Sequence, residues 1–223
     1  MVHELNITSL LNGDARRAIH TTRYSRYAVH RVESVAEHTF NTMTYASVIA
    51  HHLIEDGYAV NHGTVLNKAL WHDTEEPAGT GDILRGVKHS SPQLLQLIEE
   101  YGRRAVVRVS EALGLGKWSG SKDRSRDVIL EYWENSKDDT VEGQIVRVAD
   151  CLSVISYLVE EYDLGNRTLG VVHDEVMQYF GVVDRKVKIP ELQDLLREVR
   201  SYFEERVNYN NAVCPLCKTP TSR

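Results

Sequence analysis

The stretch 139–163 constrains the fold more than any other part of this chain. Apolar residues recur in it at the 3.6-residue spacing of one helix face, and further apolar residues cover much of the rest of its middle. The residues on the first face are Ile145, Val148, Ala149, Leu152, Ile155 and Val159, and those on the remainder are Val146, Val154, Tyr157 and Leu158. A helix that is apolar nearly all round has to be surrounded by other elements. The sequence therefore predicts a long, buried helix at the centre of the molecule.

A single carboxylate, Asp150, falls in the middle of this apolar helix. Burying an unpaired carboxylate is costly, so Asp150 needs a cationic partner, strong hydrogen bonds or a metal ion. Two interpretations follow from the sequence at this point. Asp150 forms an ion pair with Arg147, one turn earlier, or it is a metal ligand.

The remainder of the chain also has helical periodicity. Ser34 and Glu37 form a capping-box pattern at the start of one helix, and Thr64 is the predicted cap of the next. Helices are predicted at about 34–55, 64–72 or 75, 92–113, 124–135, 139–163, 168–180 and 190–207. The only hint of strand alternation is the short, charged segment VVDRKVKI. The predicted fold class is all-α, with one domain over 1–207 and a polar tail over 208–223.

Composition excludes several classes of function. The chain has 223 residues and a net charge of −6, so it has no global basic field suited to a nucleic acid polymer or an anionic membrane. The N-terminus lacks the pattern of a signal peptide, and no apolar run approaches the roughly 20 residues that span a bilayer. Three cysteines, an odd number, argue against a disulfide framework, and the single pair Cys214/Cys217 is only half of a zinc site. The expected compartment is the cytoplasm, of a cell or of a phage-infected cell.

Four potential metal ligands come from three separate predicted helices. They occur in the order His38, His72-Asp73 and Asp150, and together offer two imidazole nitrogens and two carboxylates. A mixed nitrogen and oxygen set suits a divalent ion such as Mn²⁺, Co²⁺, Fe²⁺, Zn²⁺ or Mg²⁺ that keeps open positions for water. The ordered pattern on a helical chain predicts one divalent metal ion as cofactor.

This pattern resembles that of the HD-domain metal phosphohydrolases, and more closely their bacterial 5′-deoxynucleotidase branch, over roughly residues 15–170. The matching segments are RYSRYAVHRVESVAEHTF (23–40), HDTEEPAGTGDILRGVKH (72–89) and QIVRVADCLSVISYLVEEYDLGN (144–166). The resemblance implies an HD-domain helical bundle and a homo-oligomer, a dimer or larger. It also implies that His38, His72, Asp73 and Asp150 hold the metal.

The same resemblance implies roles for five further residues. Glu76 matches the acid that assists the attacking water, and Arg23 matches a phosphate-binding arginine. Tyr24 matches an aromatic residue beside the sugar or base, where the family has tryptophan. Asp82 matches a carboxylate that lines the sugar site, after a loop one residue longer than in the type member. Lys88 matches a basic position that follows in the substrate site.

The implied activity is hydrolysis of a deoxynucleoside 5′-monophosphate to deoxynucleoside and phosphate. Removal of triphosphate from a dNTP, as in phage dATP hydrolases, is the first alternative, because the same metal centre serves both reactions. Hydrolysis of guanosine alarmones is a weaker option, since Pro77 stands where that motif has an aspartate. An alternative of another class is a catalytically silent nucleotide-binding module. Among the neighbouring residues, Glu75 is predicted to be solvated, Trp71 and Trp133 to be core residues, and His51 and His52 to lie outside the site.

Overall fold

The computed structural model describes residues 7–115 and 127–212. Its α-helices are α1 (Ile7–Asn12), α2 (Val35–Glu55), α3 (His62–Trp71), α4 (Arg85–Lys88), α5 (Pro92–Ala112), α6 (Val128–Glu134), α7 (Val141–Asp163), α8 (Gly170–Lys186) and α9 (Pro190–Ala212). A 3-10 helix spans Asp14–Ile19, and a wide π-helical turn spans Glu76–Thr80. The described residues, 7–115 and 127–212, contain no β-strand, which confirms the all-α prediction. VVDRKVKI forms the end of α8 and the link to α9 instead of a strand.

Helix α7 lies at the centre, as its apolar sequence predicts. Its residues are buried almost without interruption from Gly143 to Ile155, and it packs against α2, α3, α8 and α9. Around it a large apolar core forms from these helices. A smaller cluster joins α5 and α6, and Trp71 and Trp133 pack against it, half-buried.

The N-terminal caps of α2 and α3 place two of the predicted ligands. The Ser34 hydroxyl accepts a hydrogen bond from the Glu37 N–H, and the Glu37 carboxylate accepts from the Ser34 N–H, so the predicted capping box is confirmed. At α3 the predicted cap, Thr64, is wrong. The side-chain oxygen of Asn61 caps this helix by accepting the Thr64 N–H at 3.0 Å. The helix therefore begins three residues earlier than a cap at Thr64 predicts, at His62.

The elements that carry the predicted ligands converge on α7. His38 lies in the second turn of α2, His72 and Asp73 directly follow α3, and Asp150 is near the middle of α7. Within the described ranges, no helix is both long and apolar enough to cross a membrane. Helix α9 runs to Ala212 and so includes the first five residues of the predicted tail, 208–223. The rest of that tail, with the Cys214/Cys217 pair, lies outside the described residues.

Candidate metal centre

The four predicted ligands form one compact, largely buried cluster. A donor atom from each of His38, His72, Asp73 and Asp150 lies within 4.8 Å of all the others. The His38 Nε2 is 3.0 Å from the Asp150 Oδ1, and the His72 Nε2 is 3.0 Å from the Asp73 Oδ2. The two Nε2 atoms are 3.3 Å apart. This arrangement of two nitrogens and two oxygens around one point fits a single divalent ion.

The outer nitrogen of each imidazole ring is occupied by a neighbouring group. The His72 Nδ1 lies 2.7 Å from the carbonyl oxygen of Ala69, to which it can only donate. The His38 Nδ1 lies 2.9 Å from the hydroxyl of Ser153, on α7. When Nδ1 carries the proton in each ring, the Nε2 lone pairs face the centre of the cluster, as metal ligation requires.

The Asp150 carboxylate is shared between the cluster and two donors that the sequence did not reveal. Its Oδ2 accepts hydrogen bonds from the Lys137 Nζ, at 2.6 Å, and from the Tyr179 hydroxyl. The ion pair with Arg147, which the sequence left open, is not formed. The Arg147 guanidinium donates instead to the backbone carbonyls of Lys137, Asp138 and Lys186.

The metal-free cluster strongly favours added positive charge. Burial lowers the pKa of His72, but the carboxylates of Asp73 and Asp150 outweigh it and raise that pKa to about 10. Burial also opposes ionisation of Asp150, yet Lys137 and the two imidazoles hold the pKa of this carboxyl well below its usual range. A group of buried acids that keeps a proton on an imidazole is one that a divalent cation can occupy by displacing that proton.

Arg23 lies beside the cluster and is itself buried. Its Nη1 is 3.5 Å from the Asp73 Oδ2, and its Nε is 3.3 Å from the carboxylate of Glu33, which is only 1 % exposed. Arg23 also lines the cavity that opens from the metal cluster. The structure thus brings this predicted phosphate-binding residue next to a predicted metal ligand.

Glu76 lines the same cavity, one turn after Asp73. Its Oε2 is buried and makes no hydrogen bond to the part of the chain that the structure describes. Burial, together with the charge of Asp73, raises the pKa of Glu76 well above its usual value, against the opposing effect of Arg23. An acid with a raised pKa in a cavity suits proton transfer near neutral pH.

The prediction that Glu75 is solvated is wrong. Glu75 is only 7 % exposed, and its Oε2 accepts a hydrogen bond from the Trp133 Nε1 at 2.5 Å. Its Oε1 is 4.0 Å from the Lys88 Nζ. The side chain packs on Gly102 of α5, where a Cβ would come within 3.2 Å of it. Its burial therefore depends on α5 and α6, whose approach cannot be read from the local sequence.

Tyr24 and Asp82 lie side by side in the cavity wall. The backbone N–H of Tyr24 donates to the Asp82 carboxylate at 2.8 Å, and the Tyr24 ring stacks on Tyr157 with 4.9 Å between centroids. Tyr24 has φ of +54°, a conformation that is uncommon outside glycine. Gly81, with φ of +68°, turns the chain so that Asp82 reaches the cavity.

The cavity has a volume of about 340 Å³ and runs from the metal cluster to α8. Every predicted catalytic and substrate-binding residue lines it, Lys88 included, together with Lys137, Tyr179 and Glu175, which the sequence analysis missed. Its apolar wall consists of Ile83, Leu84, Val154, Val172, Val176, Val182 and Val183. His51 and His52 are exposed on α2 and belong to neither the cluster nor the cavity.

A family model described as 5′-deoxynucleotidase YfbR-like matches residues 16–201. The chain belongs to this family. The match includes all four metal-cluster residues and every residue that lines the cavity. As a member of the 5′-deoxynucleotidase YfbR-like family, within the HD-domain superfamily, the chain is a metal-dependent phosphohydrolase. A comparison with curated proteins gives no match.

Solved structures support the fold of this family member. A conserved hypothetical protein from Pyrococcus furiosus is 23% identical and has a TM-score of 0.65, over 87% of this chain and 99% of that one. A protein from Pyrococcus horikoshii is 20% identical with a TM-score of 0.66, over 86% and 97% of the two chains. An HD-domain phosphohydrolase from Listeria innocua is 17% identical with a TM-score of 0.58, over 88% and 98%. These similarities confirm the predicted HD-domain helical bundle.

Proposed function

We propose that the protein is a 5′-deoxynucleotidase, which hydrolyses a deoxynucleoside 5′-monophosphate to the deoxynucleoside and phosphate. The observation that carries this proposal is the cavity itself. One end contains the metal cluster with Arg23 and Glu76, and the same space continues past Tyr24 and Asp82 to an apolar wall. The metal cluster and Arg23 suit the phosphate of a nucleotide, Asp82 and Tyr24 suit its sugar, and the apolar wall suits its base.

His38, His72, Asp73 and Asp150 would hold one divalent ion, for which Co²⁺, Mn²⁺, Zn²⁺, Fe²⁺ and Mg²⁺ are the candidates. When bound, such an ion lowers the pKa of a coordinated water toward neutrality and draws charge from phosphoryl oxygens.

The protein side chains around the cluster supply the rest of the mechanism. Arg23 binds the phosphate through its planar guanidinium, which Glu33 and Asp73 hold in place at 3.3 and 3.5 Å. Glu76 accepts the proton of the attacking water, since its Oε2 is free of other hydrogen bonds within the described chain and its pKa is raised. The bond from phosphorus to the 5′-oxygen then breaks, and this oxygen takes up the proton that Glu76 accepted, which releases the deoxynucleoside.

The residues that follow would hold the nucleoside. Asp82 accepts a hydrogen bond from the sugar 3′-hydroxyl with the carboxylate oxygens that the Tyr24 N–H leaves available. The Tyr24 ring, fixed against Tyr157, packs beside the sugar or base. The valines of α8 complete an apolar surface for the base.

A dNTP triphosphohydrolase is the competing candidate. Lys88 and Lys186 line the same cavity and could bind a longer phosphate chain. The monophosphate is favoured as substrate because the cavity is lined by carboxylates as well as by these cations. Asp82 and Glu175 also face the cavity, and both would repel the additional charges of a triphosphate.

A product-resolved assay separates these functions. The metal-loaded protein is incubated with dNMPs, NMPs, dNDPs and dNTPs, and products are separated by anion exchange. Phosphate release from dNMPs in preference to NMPs is the expected result. Release of triphosphate from dNTPs supports the competing candidate, and metal binding without turnover of any nucleotide supports a silent binding module. We further propose that the protein self-associates, which light scattering after size-exclusion chromatography tests.

A further inference from the structure

Among the described residues that line the cavity, Lys137 is the cation that contacts the metal cluster from the side of α7. Its Nζ lies 2.6 Å from the Asp150 Oδ2, while the Asp150 Oδ1 faces the His38 Nε2 at 3.0 Å. Arg23 occupies the corresponding position on the other acid, with its Nη1 3.5 Å from the Asp73 Oδ2. Each of the two carboxylates of the cluster is therefore flanked by one basic side chain.

The short connection between α6 and α7, which contains Lys137, is held from two directions. The buried Lys68 Nζ contacts Asp138 at 2.7 Å and Thr140 at 3.0 Å. From the other side, the buried Arg147 guanidinium donates to the carbonyl oxygens of Lys137 and Asp138. Two buried cations thus hold this connection, so that Lys137 points at the cluster before any ligand arrives.

The Lys137 ammonium retains capacity for a ligand. It has three N–H donors, and the hydrogen bond to Asp150 is the one that it makes to the described residues. Its side chain is 30% exposed and lines the cavity, so the remaining donors face the space beside the cluster. Neutralising the buried Asp150 carboxylate does not require the Lys137 ammonium to be exposed to the cavity.

We propose that Lys137 is a second phosphate-binding residue, which donates a hydrogen bond to a non-bridging phosphoryl oxygen on the side of the cluster away from Arg23. This inference rests on the proposed phosphoester substrate. Its consequence is that the transferred group is held between two cations, one on each acid of the cluster. Arg23 and Lys137 then stabilise, from opposite sides, the negative charge that develops on the phosphoryl oxygens.

Binding of inorganic phosphate to the metal-loaded protein tests this role independently of turnover. Calorimetric titration is carried out on wild type, Lys137→Met, Lys137→Arg, Tyr179→Phe and Lys188→Met, with the metal content of each sample measured. Tyr179→Phe removes the other donor to the Asp150 Oδ2 without a change in charge. Lys188→Met removes one positive charge nearby, from an exposed pair with Asp139.

The expected result is a loss of phosphate affinity on the order of tenfold to a hundredfold in Lys137→Met, the effect of one hydrogen bond to a charged group. Its metal content stays at the wild-type level, and Lys137→Arg recovers most of the affinity. Lys188→Met stays within about twofold of wild type. Tyr179→Phe, which removes a donor to Asp150 but no charge, loses less phosphate affinity than Lys137→Met.

Three results would overturn the proposal. They are wild-type phosphate affinity in Lys137→Met, a phosphate affinity too weak to measure in the wild type, and an equal loss of bound metal in Lys137→Met and Tyr179→Phe. The last result would make Lys137 a residue that only positions Asp150. Failure of the proposed nucleotidase function looks different, because wild type would then bind phosphate in a Lys137-dependent manner without hydrolysing any dNMP.

Discussion

At the scale of single residues, the surroundings of each carboxyl group in the site decide whether its pKa is lowered or raised. Asp73 and Asp150 face imidazoles and cations, which keep their pKa values well below the usual range despite burial. Glu76 and Glu75 lie a few residues away, and burial raises the pKa of both. The first pair is suited to hold a cation, and Glu76, which reaches the cavity, is suited to exchange a proton.

Replacement of Glu76 by glutamine should lower kcat by about 10²- to 10⁴-fold while the bound metal is retained. A base must be ionised to act, and the pKa of Glu76 is raised, so wild-type kcat should increase with pH through a value above that of an ordinary glutamate. The variant should lack this rise. Steady-state rates across pH and metal analysis provide the measurement. Glu55→Gln, at an exposed position on α2, is the matched control, and an unchanged kcat in Glu76→Gln would remove Glu76 from the mechanism.

Metal binding should release about one proton near pH 7.5. The pKa of His72 is about 10 in the metal-free protein, so its imidazole carries a proton at this pH that it must lose to become a ligand. Apparent metal affinity should therefore rise as pH increases toward 10. Titration calorimetry in buffers with different ionisation enthalpies counts the protons, and a heat that is identical in all buffers contradicts the prediction.

At the scale of secondary-structure elements, the sequence predicted helices better than it predicted contacts between them. Periodicity located α2, α5 and α7 to within a few residues, because burial of one face leaves a repeating pattern. The burial of Glu75 and the position of Lys137 left no such pattern. Both depend on α6, since Trp133 holds the first and the connection after this helix carries the second.

The correction at the start of α3 can be measured. Asn61→Ala should destabilise the protein by about 1 kcal/mol, because the Thr64 N–H loses its side-chain acceptor. Thr64→Ala should change the free energy of unfolding by less than about 0.5 kcal/mol, since its hydroxyl is not the cap. Urea denaturation of the two variants gives the comparison. A larger loss of unfolding free energy in Thr64→Ala than in Asn61→Ala would show that Thr64 is the cap, as the sequence pattern suggested.

At the scale of the whole molecule, the metal cluster joins three helices that are far apart in sequence. His38 comes from α2, the His72-Asp73 pair from the end of α3, and Asp150 from α7. The ordered pattern of these ligands was enough to predict the cluster and, through the resemblance, the superfamily. The cavity beside it was less accessible to prediction, because α8 contributes Tyr179 and Glu175 without any recognisable motif.

Removal of the metal should lower the melting temperature by several degrees. A ligand present at about 100 times its Kd stabilises the folded state by about 2.7 kcal/mol, and a chain of this size gains roughly 2–4 °C per kcal/mol. Thermal unfolding with and without EDTA measures the difference. In Asp73→Ala, which should lose metal binding and activity together, EDTA should have no effect. A wild-type melting temperature insensitive to EDTA contradicts a metal that links the three helices.

The division of labour between α8 and the other helices has an evolutionary consequence. The residues of the metal cluster come from α2, the end of α3 and α7, whereas α8 supplies Val172, Val176 and Val183 to the apolar wall of the cavity. The Tyr179 hydroxyl donates a hydrogen bond to Asp150, which holds α8 at a fixed distance from the metal cluster. If this wall receives the base, as proposed, substitutions on α8 can change the base preference of a lineage while the residues of the metal cluster stay the same.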